Sequence, residues 1–143
     1  MPTASTRRIR LAKELSEFAH YEQKDKAGVA YYLHPRAVAA KLTEEDEIIT
    51  ALLHDTLEDT SVTEATIRNL FGDTVADAVV SVTRKEGEDY FDFVRRAKQN
   101  PIGRKVKIAD LEHNMDVSRL PNITDTDKKR LEKYSMALSI LMG

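Results

Sequence analysis

The sequence predicts an all-α fold. Apolar residues recur at three- and four-residue spacing in one segment after another, and residues that start or stop helices punctuate those segments. The β-branched run Val75 to Val82 also spaces Val75, Ala78, Val79 and Val82 as a helix would, and no partner strand is evident for it. About six or seven helices are expected.

Taken in order, Ile9, Leu11, Leu15 and Phe18 mark the apolar face of a first helix, with Arg7, Arg8, Arg10 and Lys13 on the others. Gln23 to Gly28 is polar and breaks the pattern. Leu33-His34-Pro35 restarts it, because proline favours the first helical turn, and Val38, Ala39 and Leu42 follow. Thr43 followed by Glu44, Glu45 and Asp46 predicts a capped, acidic helix start leading into Ile48, Ile49, Leu52 and Leu53. Ser61-Val62-Thr63-Glu64 fits a capping box that opens the next helix, which Phe71-Gly72 closes. After Val75 to Val82, Lys85 to Glu88 is a connection. Helices over about Asp89–Gln99 and Ile102–Asp116 follow. A final helix opens at Asp125 or Thr126 and carries Leu131, Tyr134, Leu138 and Leu141.

The 143 residues suit one domain, 1–143, with a core of its own. Twenty-two Lys+Arg balance 24 Asp+Glu for a net charge of −2, which argues against bulk capture of nucleic acid or an anionic membrane. With no cysteine, disulfides, thiolate catalysis and Cys-type metal sites are excluded. No apolar run approaches the roughly 20 residues of a membrane span. The residues after Met1 lack the apolar core of a signal peptide, so a cytoplasmic protein is expected.

The most informative segment is Ile48-Ile49-Thr50-Ala51-Leu52-Leu53-His54-Asp55-Thr56-Leu57-Glu58-Asp59. It opens as a helix apolar enough for the middle of a bundle. Continued as a helix, it places His54 and Glu58, and Asp55 and Asp59, as i,i+4 pairs on its continuing face. Three carboxylates and an imidazole there repel one another and lose hydration unless a cation compensates. His34, at the start of an apolar helix, and Asp110, inside Val106-Lys107-Ile108-Ala109-Asp110-Leu111, stand in equally apolar contexts. Two imidazoles and two carboxylates suit Mn²⁺, Fe²⁺, Co²⁺ or Zn²⁺, with coordination positions left for water and substrate. His20 and His113 are read as supporting side chains rather than ligands.

With His34, His54-Asp55 and Asp110 in this order, the sequence resembles the HD-domain superfamily of metal-dependent phosphohydrolases. Within it, three stretches resemble the hydrolase domain of the guanosine tetraphosphate (ppGpp) synthetase/hydrolases and their small stand-alone relatives. They are Ala19-His20 through His34-Pro35, Ala51 through Thr60, and Val106 through Met115, with Phe71-Gly72, Val75-Ala76 and Val82-Thr83 between. The resemblance spans roughly Phe18 to Tyr134. It implies an HD-type helical bundle with a central metal site in which His34, His54, Asp55 and Asp110 bind one divalent ion, Mn²⁺ ranking first. It also implies that Glu58 and Asp59 work on water and substrate, and that Lys26, Lys107, Asn114 and Tyr134 line the nucleotide. Asp25 and Glu112 depart from the basic residues of the relatives, and the stretch between Thr83 and Asp110 is shorter than theirs. These departures leave the metal set intact.

The expected activity is therefore hydrolysis of the 3′-pyrophosphate of ppGpp or a related nucleotide, with a small-molecule nucleotide as partner. Either Glu58 or Asp59 would handle the water, and lysines would neutralise the pyrophosphate; Arg104 is read first as a solvated surface residue. The alternatives are an HD phosphohydrolase acting on another nucleotide mono- or polyphosphate, and a catalytically silent nucleotide-binding module. No nucleotide-synthesising segment follows Tyr134, so activity is expected in the degradative direction. Tyr31, Tyr32, Tyr90 and Phe91 are each expected in the core. The sequence carries no argument for an oligomeric state.

Overall fold

A helix that is apolar all round must be surrounded, and that single requirement organises this chain. The computed structural model describes residues 6–21, 33–116, 118 and 122–143, which contain nine helical segments and no strand. They are α1 (Arg7–Ala19), α2 (Leu33–Ala39), α3 (Glu45–Leu53), α4 (Thr56–Asp59), α5 (Glu64–Phe71), α6 (Asp73–Ser81), α7 (Tyr90–Lys98), α8 (Pro101–Asn114) and α9 (Asp125–Met142). Helix α3 is the apolar one, and α1, α2, α6 and α8 pack around it. Ile49, Leu52 and Leu53 are fully buried, each worth about 1.5–3 kcal/mol of transfer free energy.

Two apolar clusters result. The first joins α1, α2, α3, α5 and α6 to Val106 and Ala109 of α8. The second gathers Val94, Leu111, Ala137 and Leu141 from α7, α8 and α9, with Tyr90, Phe91 and Tyr134 packed against it. Helix α8 therefore belongs to both, and Asp110 lies between Ala109 of one cluster and Leu111 of the other. No helix among the described residues is long and apolar enough to cross a membrane.

Local chemistry explains the boundaries. Asn100 caps α8 by accepting from the Ile102 and Gly103 N–H groups, with Pro101 in the first turn. Thr124 and Asp127 form a reciprocal capping box at α9, which starts at Asp125 as expected. Gly72, at φ +95°, turns the chain between α5 and α6 in a region that favours glycine.

Three expectations are corrected. The helix through Leu53 does not run on to Asp59. The imidazole Nδ1 of His54 donates to the Ala51 carbonyl at 2.5 Å and the Thr56 hydroxyl to the Leu53 carbonyl at 2.7 Å. Side chains thus take carbonyls that a continuing backbone would use, and α4 is a separate single turn. The cap of α5 is Thr63, whose hydroxyl accepts from the Thr66 N–H, rather than Ser61. Phe18 is 83% exposed; the buried face of α1 is Ile9, Ala12 and Ser16.

Candidate metal centre

His54 and Asp55 stand in the break between α3 and α4. His34 arrives from the start of α2 and Asp110 from the middle of α8, both helices packed against α3. His34, His54 and Asp110 are all buried, and one ligand atom from each lies within 4.8 Å of the others. Nε2 of His34 is 2.9 Å from Asp110 Oδ1. Nε2 of His54 is 3.3 Å from that same oxygen and 3.2 Å from Oδ2 of Asp55. The structure thus brings His34, His54 and Asp110 together, with Asp55 joined to them through His54 and grouped otherwise with Glu58 and Asp59.

With its Nδ1–H committed to Ala51, the His54 ring turns Nε2 toward the carboxylates, and that atom carries a lone pair whenever the ring is neutral. That atom is buried and has no hydrogen-bond partner among the described residues, and its nearest neighbours are carboxylate oxygens, which accept only. A ring nitrogen and two carboxylates converging there favour positive charge, as a proton on the ring or as a metal ion in its place. The residues fit a divalent metal, held by mixed nitrogen and oxygen ligands.

The electrostatics agree. Burial pulls the His54 imidazole down, yet the Asp55 and Asp110 carboxylates outweigh it and hold the ring at about 9. Burial works to raise Asp110, but Lys107, His54 and the bond from His34 keep it well below the usual carboxylate range. Both results express one fact: this cluster favours positive charge.

Around it stands a ring of supporting contacts. Nδ1 of His34 lies 2.7 Å from Nδ1 of His113, so one ring donates to the other and His34 is oriented from behind. Asp110 receives Lys107 Nζ on Oδ2 and Asn114 Nδ2 on Oδ1, each at 3.1 Å. A second group, Asp55, Glu58 and Asp59, places one carboxylate oxygen from each within 4.8 Å. Glu58 Oε1 accepts the backbone N–H of Arg84 at 2.9 Å. Partial burial first, and the Asp55 charge next in the same direction, raise both the Glu58 and Asp59 carboxyls above their ordinary values.

Of the residues expected at the nucleotide, Lys107 and Asn114 reach Asp110 directly. Tyr134 is half-buried, its hydroxyl raised by burial and influenced by Arg130, Asp110, Lys107 and Asp55. Lys26 lies outside the described residues. Arg104 is turned away: its Nε donates to the Leu141 carbonyl at 2.6 Å, beside a groove of about 370 Å³ shared with Pro101, Lys105, Ile108 and Met142. Sequence reasoning missed Arg84 and Lys133, which approach the Tyr90 ring together with Lys107. No spacing signal marks them, since they come from a loop and from α9.

Comparison with known proteins follows the same lines. An HD domain family model matches residues 10–115. The guanosine-3′,5′-bis(diphosphate) 3′-pyrophosphohydrolase of Aquifex aeolicus is 34% identical over 91% of this chain and 20% of its own length. The bifunctional (p)ppGpp synthase/hydrolase SpoT of Escherichia coli K12 is 31% identical over 96% of this chain and 22% of its own. A GTP pyrophosphokinase of Myxococcus xanthus is 36% identical over 75% of this chain and 16% of its own. The chain thus spans about a fifth of the length of the curated relatives it matches. Among solved structures, a metazoan ortholog of SpoT, described as hydrolysing ppGpp, superposes with a TM-score of 0.79 at 23% identity, covering 99% of this chain and 89% of its own. That likeness establishes the all-helical fold, and the family match over residues 10–115 establishes that this chain is a member of the HD domain family.

Proposed function

We propose that this chain is a metal-dependent phosphohydrolase that removes the 3′-pyrophosphate of ppGpp or a closely related nucleotide. The observation that carries the reading is the buried, unpartnered Nε2 of His54 facing two carboxylate oxygens. The activities named for the Aquifex aeolicus and Escherichia coli relatives supply the substrate class. In this reading His34, His54, Asp55 and Asp110 hold one divalent ion, with Mn²⁺ as the resident metal. What such an ion supplies is Lewis acidity toward a phosphoryl oxygen and the attacking water.

The chain's own groups do the rest. Glu58 and Asp59 sit on the turn after Asp55, with carboxyls raised toward the range useful to a base. The Arg84 N–H fixes the Glu58 carboxylate, which with Asp59 orients the water and accepts its proton. Oxygen from that water joins the phosphorus bound to the 3′ oxygen, and the bond between them breaks. The nucleoside regains a 3′ hydroxyl by taking a proton, and pyrophosphate leaves. Lys107, buried beside Asp110, offsets charge gathering on the phosphoryl oxygens, while Lys26, Asn114 and Tyr134 line the nucleotide.

Product analysis tests this. With Mn²⁺ the chain is expected to convert ppGpp to pyrophosphate and a nucleoside 5′-diphosphate, and Asp55→Ala to abolish both products. Intact ppGpp with the metal-loaded wild type, or release of orthophosphate alone, contradicts the assignment.

A further inference from the structure

Three cations converge on one aromatic ring. Lys133 Nζ lies 4.2 Å from the Tyr90 ring centroid, the Arg84 guanidinium carbon 5.7 Å and Lys107 Nζ 5.9 Å. Cation–π attraction holds each to the ring, but it does not offset their mutual repulsion. Lys107 has Asp110 as counter-charge at 3.1 Å. Among the described residues, neither Arg84 nor Lys133 has a carboxylate within ion-pair distance: Arg84 Nε donates to the Glu88 carbonyl, and Lys133 contacts the ring. Burial and the nearby Arg84, Arg130 and Lys107 charges depress the Lys133 ammonium. The Tyr90 hydroxyl is buried there without a hydrogen-bond partner.

We propose that Arg84, Lys107 and Lys133, gathered around Tyr90, form an anion subsite for a second phosphoryl group of the substrate, distinct from the one attacked at the histidine–aspartate cluster. Lys107 stands between the two places, bonded to Asp110 on one side and near Tyr90 on the other. A phosphate with its several acceptor oxygens matches a divergent set of cationic donors better than the planar edge of a base does. The substrate class that follows is a nucleotide phosphorylated at two positions, and single phosphoryl esters forgo the outer contact. This inference rests on the phosphohydrolase reading for the inner site alone.

The Mn²⁺-loaded protein is titrated calorimetrically with guanosine 3′,5′-bisphosphate and guanosine 3′-monophosphate, which differ by one phosphoryl group. The wild type is expected to bind the bisphosphate at least about 10-fold more tightly, as one charge-assisted contact allows. Lys133→Glu is expected to remove that preference while leaving monophosphate affinity within about twofold, and Lys133→Arg to keep it. Thermal melts of each variant establish that it folds. Equal affinity of the wild type for the two probes, or variants that keep the preference or weaken both probes alike, overturns the subsite. Release of pyrophosphate from ppGpp is followed in parallel. A Lys133-dependent preference without that release upholds the subsite and removes ppGpp as substrate.

Discussion

The two faces that α8 joins are built on opposite electrostatic plans. Toward the first apolar cluster, His34, His54 and Asp110 offer acceptors and lone pairs in a buried space beside the partly buried Asp55, and among the described residues none donates to His54 Nε2. Toward the second, Arg84, Lys107 and Lys133 crowd one tyrosine with fewer carboxylates than cations. A chain of net charge −2 thus separates charge locally, one pole suited to a metal ion and the other to phosphate. Lys107 belongs to both, which is why the poles sit a side chain apart. Overall charge therefore says little about a site, whereas one buried nitrogen without a donor or acceptor partner says a great deal.

The sharpest way to break the acidic pole is Asp110→Asn, because Asp110 meets His34, His54, Lys107 and Asn114 at once. We expect kcat/KM for ppGpp to fall by more than about a hundredfold, beyond what loss of a mere supporting partner causes. Steady-state kinetics with purified protein checks it. Next in size is removal of the ion. At free Mn²⁺ near 100 times Kd, linkage adds about 2.7 kcal/mol to folding stability. Chelation should therefore lower Tm by about 5 to 10 °C for a chain of this size, reversibly on adding Mn²⁺. Differential scanning calorimetry reads both directions.

How much of this was legible in the sequence follows from the kind of signal each residue gives. His34, His54-Asp55 and Asp110 stood out because titratable groups in apolar stretches are costly, and that cost is visible without coordinates. The caps at Asn100 and Thr124 act within three residues, yet the starts expected were Ile102 and Asp125 or Thr126, and Thr63 rather than Ser61 opens α5. The break at His54 was not legible, since it depends on side chains competing for the Ala51 and Leu53 carbonyls. The cation cluster was hidden for a different reason. Arg84, Lys107 and Lys133 lie on a loop and two helices that meet only through the packing of Val94, Leu111, Ala137 and Leu141.

Two smaller effects sharpen the contrast. His113→Ala removes the ring that orients His34, and should weaken Mn²⁺ binding by about 10- to 100-fold without moving the ligands' identity. On the cationic side, Arg96 binds both oxygens of Glu88 as well as the Val80 and Thr83 carbonyls, clamping the loop that carries Arg84. The bond from Arg96 depresses the Glu88 carboxyl from 4.5 to about 2. A depressed carboxylate stabilises the fold above its unfolded pKa and loses that contribution as pH falls through its folded one. Glu88→Gln should therefore cost about 1 kcal/mol near neutrality, with the gap from wild type closing between about pH 4.5 and pH 2. Urea titrations across that range measure it.

Elemental analysis of protein purified without chelator goes straight to the idea that the acceptor-rich pocket exists to hold a cation. The account predicts close to one equivalent of a divalent first-row metal per chain, lost in His54→Ala while the variant keeps its helical circular dichroism. Wild-type protein that carries no metal and takes up none when dialysed against Mn²⁺ would contradict it.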